Sequence, residues 1–382
     1  MLIPKIHNKG VFFIAVSQFG MAFSFHCILS FMPFCIMQNS PYGQKETLIW
    51  IGLILGAANI VATFVAPFWG GLTSRFSPKR LFEQGMLLNG ILNLFMGFTG
   101  NLYLLLLFRI LQGVLGGVST IGLVLISAKS PQDRLPKDLS LFQSAITAGQ
   151  LIGPLAGAYV ASIFGYRAPF ILAFLVVAVF LTFCHFHVID IPLQKKAPRS
   201  ETPFKKSIFF GWSVAFIGTL NLAFLPSILP NILQGFQVIG NAALRSAGFI
   251  IMSYMITAII GNFLLSRLSI KIGVIKVIAL ACISAALLQI LLILSQGVLS
   301  FMVIRMAQTA FIAAVIPLTF SIFTRDAGGG RIGFLNSSRF AGAAVGPIMA
   351  TSVLAYTNLL TLYILIAGLT LISLWAFLKS NK

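Results

Sequence analysis

Charge is the scarcest property of this chain. Only 9% of its 382 residues are Asp, Glu, Lys or Arg, and only seven are acidic. A water-soluble domain carries about a quarter charged residues. Water is therefore not the solvent that covers this surface, and a lipid-facing exterior is expected instead. Carboxylates are missing from every long apolar run: Glu46, Glu83, Asp133, Asp138, Asp190, Glu201 and Asp326 lie in intervening segments or at run ends. That excludes paired intramembrane aspartates. The chain also has no His-Glu-x-x-His sequence and no Walker Gly-Lys-Ser/Thr loop, so those enzyme classes are excluded and ATP cannot drive it directly. Cysteine is sparse as well. Cys27, Cys35, Cys184 and Cys282 fall inside apolar runs, at spacings that fit neither a disulfide framework nor a zinc site. They read as buried thiols. Cys184, His185 and His187 make no metal site on a helix, because residues two apart point to different faces. No metal, cofactor or catalytic residue is expected.

Apolar sequence is what the chain has most of, at 58%. A span needs about 20 such residues. Twelve runs qualify, at 11–37, 47–69, 81–99, 102–128, 139–164, 168–190, 209–234, 243–266, 276–296, 298–324, 333–356 and 358–379. The first is too long for a cleaved signal and lacks a small-residue cleavage site, so it reads as a retained span. The one long polar stretch, Asp190 to Ser207, carries Lys195, Lys196, Arg199, Lys205 and Lys206. It predicts an N-terminal six-helix bundle at 1–190, a cytoplasmic linker at 191–208 and a C-terminal six-helix bundle at 209–382.

The net charge of +19 would suit nucleic acid. The basic residues, however, sit in short segments between spans, where membrane topology places them, so no nucleic-acid partner is expected. Of 26 Lys and Arg, twenty fall on the side of the N-terminus and linker, three (Lys45, Arg167, Arg245) on the other, and three (Arg109, Arg305, Arg339) inside spans. This asymmetry predicts that both termini are cytoplasmic.

The halves repeat. Phe108-Arg109-Ile110-Leu111-Gln112 in the fourth run matches Ile304-Arg305-Met306-Ala307-Gln308 in the tenth, 196 residues on; Gly149-x-x-x-Gly153-Pro154 in the fifth matches Gly342-x-x-x-Gly346-Pro347 in the eleventh, 193 residues on. Repeated six-helix units place a solute site between the halves near the midplane. Arg109 and Arg305 lie about two turns inside their spans, where a charge must face a partner or water. They are expected to line the central cavity with Gln112, Gln308 and Asn221; the alternative is a structural arginine bonded to backbone or to its own Gln at i+3. Arg339 either lines the cavity or snorkels to the interface. His26 is expected to be a hydrogen-bonded packing residue, with a proton-carrying role as the alternative. Gly149, Gly153 and Gly157 form a stripe that admits a close neighbouring helix, and Pro154 bends it. Pro226 and Pro230 predict a kink in the seventh span.

Gly70-Gly71-Leu72-Thr73-Ser74-Arg75-Phe76-Ser77-Pro78-Lys79-Arg80 resembles the loop signature of the major facilitator superfamily. A weaker copy runs from Ser266 to Lys276. Arg109 with Gln112-Gly113 resembles that family's motif in the fourth helix. Gly149-x-x-x-Gly153-Pro154-x-x-Gly157-Ala158 resembles the fifth-helix motif of its drug:proton antiporters, and Ala66 to Gly71 is similar to bacterial multidrug-efflux members. The resemblance implies an all-α integral membrane fold of twelve helices in two pseudo-symmetric six-helix bundles. It further implies a monomeric secondary transporter of small organic molecules in a bacterial inner membrane, working by alternating access, with protons as the candidate coupling ion. Gly71, Ser74, Arg75 and Arg80 would form its conformational loop, in which Ser74 replaces the usual acid and weakens the latch. Export of amphipathic or anionic compounds is the expected activity. Uptake of an anionic solute such as a polycarboxylate siderophore is one alternative, and a non-transporting receptor or lipid-translocating protein is another.

Overall fold

The computed structural model describes residues 9–73, 75–131, 134–190, 206–324 and 329–380. Their helices are α1 (Lys9–Asn39), α2 (Gln44–Leu72), α3 (Pro78–Phe98), α4 (Leu102–Val114), α5 (Val118–Lys129), α6 (Leu135–Phe164), α7 (Ala168–His187), α8 (Lys206–Ala223), α9 (Leu225–Gly235), α10 (Gly240–Ile272), α11 (Val274–Leu291), α12 (Val298–Thr324), α13 (Gly329–Tyr356) and α14 (Leu359–Ser380). A short 3₁₀ turn follows α11, and the described residues contain no strand.

Lipid solvation shows in the burial pattern. On α7, Phe170, Ala173, Val177 and Cys184 are buried at helical spacing, whereas the equally apolar Ile171, Leu175, Val179, Phe183 and Phe186 are exposed. A membrane helix has no reason to bury one apolar face rather than another, so small side chains and shape decide which face packs.

Fourteen helices make twelve passes because two spans are broken. The fourth run, expected as one helix, divides into α4 and α5 around Leu115 to Gly117. Glycines concentrate there. A Cβ on Gly113 would lie 2.5 Å from the Ala58 carbonyl, and one on Gly117 would collide with the Trp69 ring. The Trp69 indole N–H donates to the Val114 carbonyl at 2.7 Å, capping an acceptor near the break. The seventh run divides into α8 and α9 at Phe224 with a bend of 40°. Pro226 lacks the N–H that would continue the ladder, and Ser227 Oγ donates to the Phe224 carbonyl at 2.6 Å.

Nine helical stretches among the described residues are long and apolar enough to cross a bilayer, with α4 and α5 counted as one, and the bent α8–α9 pair makes a tenth. The other two passes, α3 and α13, turn polar groups inward: Asn89, Asn93, Ser338 and Thr351 are buried. With twelve passes, Lys9 and Ser380 lie at one face, here the terminal face; the opposite face is the distal one.

Packing repeats between α1–α7 and α8–α14. α1 packs on α6 as α8 packs on α13, and α3 packs on α7 as α11 packs on α14. The core lies in three pieces. The largest, towards the distal face, joins both halves through Ile28, Phe31 and Ile51 with Phe224, Ile228 and Ile250. The other two lie towards the terminal face and each belongs to one half, around Ile14, Phe82 and Phe142 or around Val277, Ile312 and Phe377.

Candidate functional site

The halves meet along two seams that close at the distal end and part towards the terminal end. In the first, Gly52 and Gly56 of α2 lie on α13, where a Cβ on Gly56 would be 2.6 Å from the Ala344 carbonyl. One turn at a time along that stripe come Ile60 (40% exposed), Phe64 (70%) and Phe68 (72%). The facing stripe of α13 changes the same way, from buried Ala344 through half-buried Phe340 to exposed Asn336. In the second seam, Gly248 of α10 lies on α6, 2.7 Å from Ala158 Cβ and 3.1 Å from the Pro154 carbonyl when given a Cβ. Along α6, buried Ala158 and Pro154 give way to half-buried Gln150 and exposed Gln143, and along α10 Ile256 is exposed. Amides turned outward within a span need water, not lipid. The gap is therefore open at the terminal face and sealed at the distal one, with phenylalanine and amide side chains on its walls.

A buried polar network flanks the gap in each half, and the two networks share one design. In the first, Arg109 donates to Gln112 Oε1 at 3.1 Å, Gln112 donates to Asn93 Oδ1 at 2.6 Å, Asn93 donates to Ser24 Oγ at 2.8 Å, and Ser24 donates to the Ala173 carbonyl at 3.1 Å. In the second, Arg305 donates to Gln308 Oε1, Gln308 donates to Gln289 Oε1 at 2.6 Å and to Asn221 Oδ1 at 3.1 Å, and Asn221 donates to Thr370 Oγ1 at 3.1 Å. The separations of 19 and 149 residues recur in both. Sequence reasoning named the Arg–Gln pairs and Asn221 but missed Ser24, Asn93, Gln289 and Thr370. Their repeat spacing was the available signal.

The arginines differ in how far they are satisfied. Arg305 also donates to the Asn221 carbonyl at 2.6 Å and lies 5.0 Å from the ring centres of both Phe224 and Tyr254. Arg109 has one ring partner, Phe25, at 5.2 Å, and its Nε and second terminal nitrogen find no hydrogen-bond partner among the described residues, whereas Arg305 leaves only Nε without one. Both guanidiniums are fully enclosed. In this conformation they take the self-bonded i+3 arrangement rather than an open cavity wall, because the glutamine and the aromatic rings sheathe the charge. Of the arginines expected within spans, Arg339 on α13 is the exposed one. His26 Nδ1 hydrogen-bonds the Ala22 carbonyl at 2.9 Å and the side chain is half-buried.

The glycine stripe of α6 lies inside the first half. Cβ atoms on Gly149 and Gly153 would come within 2.6 Å of Phe23 N and 2.7 Å of Phe23 O, and Gly157 abuts the Cys27 carbonyl. Gly342 and Gly346 repeat this on α8, at 2.5 Å from Phe216 O and 3.1 Å from Leu220 O. The stripe therefore welds α6 to α1, while Gly52, Gly56 and Gly248 form the joint between halves. In the loop motif, Ser74 lies outside the described residues and Gly71 is placed only as part of α2. Arg75 and Arg80 are exposed. Beyond them Ser77 donates to Asp190, and Lys79 pairs with Glu83 at 3.6 Å, all within the first half. The polar linker at 191–205 also lies outside the described residues. No group of three or more metal-ligating side chains occurs among the described residues.

The family model of the Major Facilitator Superfamily matches residues 14–238 and again 211–382. The chain belongs to the Major Facilitator Superfamily. It is a multi-pass membrane transporter of the fold this family shares, and it resembles the multidrug-efflux members. Multidrug resistance protein MdtG of Klebsiella pneumoniae (strain 342) is 27% identical over 367 residues, covering 92% of this chain and 88% of that protein. Among solved structures, a variant of the nucleoside transporter NupG superposes with a TM-score of 0.77 at 14% identity, over 98% of this chain and 100% of that one. A bacterial homologue of the human lysosomal transporter Spinster, in an inward-facing and occupied conformation, gives 0.75 at 13% identity over 97% and 95%. At those identities the structural likeness concerns the fold.

Proposed function

We propose that this chain is a secondary active transporter that exports amphipathic or anionic organic molecules by alternating access. The two bundles at 1–190 and 209–382 would rock about the distal seam. Export is supported by the likeness to MdtG, whose name is that of a multidrug resistance protein. With both termini cytoplasmic, as the Lys and Arg distribution favours, the terminal-open gap faces the cytoplasm and loads substrate there. The anionic preference rests on one observation. Two buried guanidiniums flank the gap, and no described helix carries a carboxylate beyond about two turns from its end. No carboxylate cancels these charges locally, so they leave a positive potential that reaches beyond their sheath in a low-dielectric surrounding. The phenylalanine and amide walls suit the apolar part of such a molecule.

The test is a melting-temperature screen of purified protein with organic anions and lipophilic cations, since a ligand stabilises through its binding free energy. Anions and neutral compounds are expected to stabilise more, and Arg109→Ala or Arg305→Ala to weaken the anion effect more than Lys379→Ala does. Resistance to lipophilic cations that is unchanged in both arginine variants would sink the reading. Coupling follows the substrate's own charge rather than His26, because one histidine in a span, with every acidic residue of the chain between spans or at span ends, is a weak coupling site. Flux in proteoliposomes should thus respond equally to an imposed pH gradient in the parent and in His26→Gln; a response lost only in the variant makes His26 the proton carrier.

A further inference from the structure

Three basic residues are all the sequence places on the distal side, and two of them reach across the seam between halves. Lys45, at the start of α2, sits 4.9 Å from the ring centre of Tyr356, at the end of α13. Arg245, near the start of α10, sits 5.5 Å from the ring centre of Tyr159 on α6 and donates from Nε to Ser162 Oγ at 3.0 Å. Both distances fall within the reach of a cation–aromatic attraction. The helices involved are equivalent in the two halves: α2 corresponds to α10 and α13 to α6. One interaction has thus been built twice about the pseudo-twofold axis, each time from the helix that also carries the seam glycine.

We propose that Lys45–Tyr356 and Arg245–Tyr159 are a paired latch that holds the distal gate shut and must break before substrate can leave on that side. The inference rests on the alternating-access reading above. Each contact joins one half to the other, so opening the distal face separates all four side chains at once. Neither pair contributes much packing. Tyr356 is 69% exposed and Tyr159 51%, and Lys45 also lines a cavity of about 590 Å³ between α2, α9 and the α13–α14 turn. The rim there is closed by attraction across a gap and not by interlocking side chains. Such contacts are strong enough to set a conformational equilibrium and weak enough to be undone at each cycle. On the terminal face, the loop motif lacks its acid at Ser74, so the imbalance between the two ends favours the terminal-open state.

The experiment places spin labels at Gly100→Cys and Gly297→Cys, in equivalent distal loops of the two halves where a side chain meets nothing within 4 Å. Cys35→Ser serves as background, because the other native cysteines are buried. In lipid nanodiscs the parent should show mainly the short distance. Each broken pair should raise the long-distance population about two- to fivefold, and both together about tenfold or more. Tyr159→Leu with Tyr356→Leu should therefore shift the distribution, and Lys45→Gln with Arg245→Gln should shift it at least as far, because Arg245→Gln also loses the Ser162 hydrogen bond across the seam. Tyr159→Phe with Tyr356→Phe keeps the rings and should match the parent. The proposal is overturned if the leucine and glutamine pairs leave the distribution unchanged, or if the phenylalanine pair shifts it as far as leucine does. Vesicle flux is read separately: a parent without flux counts against the transport reading, while the label distances still decide the latch.

Discussion

The seams inside each half and the seams between halves are built from the same material and behave differently. Inside, α6 lies on α1 along three successive glycines and α13 lies on α8 along two, near enough for a Cβ to strike backbone. Buried networks from Arg109 to Ala173 and from Arg305 to Thr370 then tie three or more helices together in each half. Between halves, close glycine contacts occur at Gly52, Gly56 and Gly248, and the stripes below them run out into exposed side chains. In lipid, apolar burial does not by itself favour one helix pairing over another, so backbone proximity and hydrogen bonds decide which joints are fixed. Under the proposed alternating access, the halves would therefore act as the rigid units and the distal seam as the joint.

The largest effect should come from breaking an internal seam. Gly153→Leu forces a branched side chain against Phe23 O and Cys27 N, and Gly157→Ala already meets the Cys27 carbonyl. Overpacking against backbone costs about 1–3 kcal/mol or more. At a seam between halves, Gly153→Leu would only block interconversion. Its place inside one half moves the expected defect to folding, seen as a lowered melting temperature and reduced yield of monodisperse protein. A variant that melts like the parent would show that this seam is not a weld.

The next effect separates the two networks. Arg305→Ala removes hydrogen bonds to Gln308 and to the Asn221 carbonyl together with two ring contacts. Hydrogen bonds from a charged donor are worth about 1.5–3 kcal/mol each at most, so a loss of about 2–4 kcal/mol is expected. Arg109→Ala removes one hydrogen bond and one ring contact, and it also removes a buried charge whose remaining donors lack acceptors. Losing an under-satisfied charge offsets the lost bond, so its change should stay within about 1 kcal/mol. Chemical denaturation of both variants checks this, and equal losses would show that the asymmetry carries no energetic weight.

How much of this was legible depends on what physics wrote into one dimension. Lipid demands long apolar runs and segregated lysine and arginine, so twelve passes in two groups could be read directly, and the repeat was visible in Arg109-x-x-Gln112 and Arg305-x-x-Gln308. The break at Phe224 was announced by Pro226. The break after Val114 was not, because glycine is common in membrane helices and only the close approach of α2, through Ala58, Ala62 and Trp69, gives these glycines their use. A charge in a span usually faces water, which points both arginines to the cavity. Nothing in the sequence shows that Phe25, Phe224 and Tyr254 would sheathe them. Asn93 and Gln289 are neutral, and a neutral amide in a span carries no charge signal. Gly52 and Gly248 stand in equivalent helices, yet a lone glycine carries no signal until its neighbour across the seam is known.

The smallest expected effect is at the joint itself, and it discriminates most finely. Gly248→Ala adds one methyl group 2.7 Å from Ala158 Cβ and 3.1 Å from the Pro154 carbonyl. The neighbouring atoms belong to the other half, so the strain can be relieved by the halves separating slightly, without disturbing either bundle. A weld responds to overpacking by unfolding, whereas a joint responds by opening. The substitution should leave the melting temperature within a degree or two while moving the conformational equilibrium by about 0.5–1.5 kcal/mol, roughly a two- to tenfold gain in the distal-open population. Gly56→Ala, aimed at the Ala344 carbonyl across the other seam, should do the same, and the two shifts should add because the seams are far apart. Distances between labels at Gly100 and Gly297 read the population, and a thermal scan reads the stability. A fall in melting temperature comparable to that of Gly157→Ala, with no change in the distances, would mean that the distal seam is as fixed as the internal ones and that the halves do not hinge there.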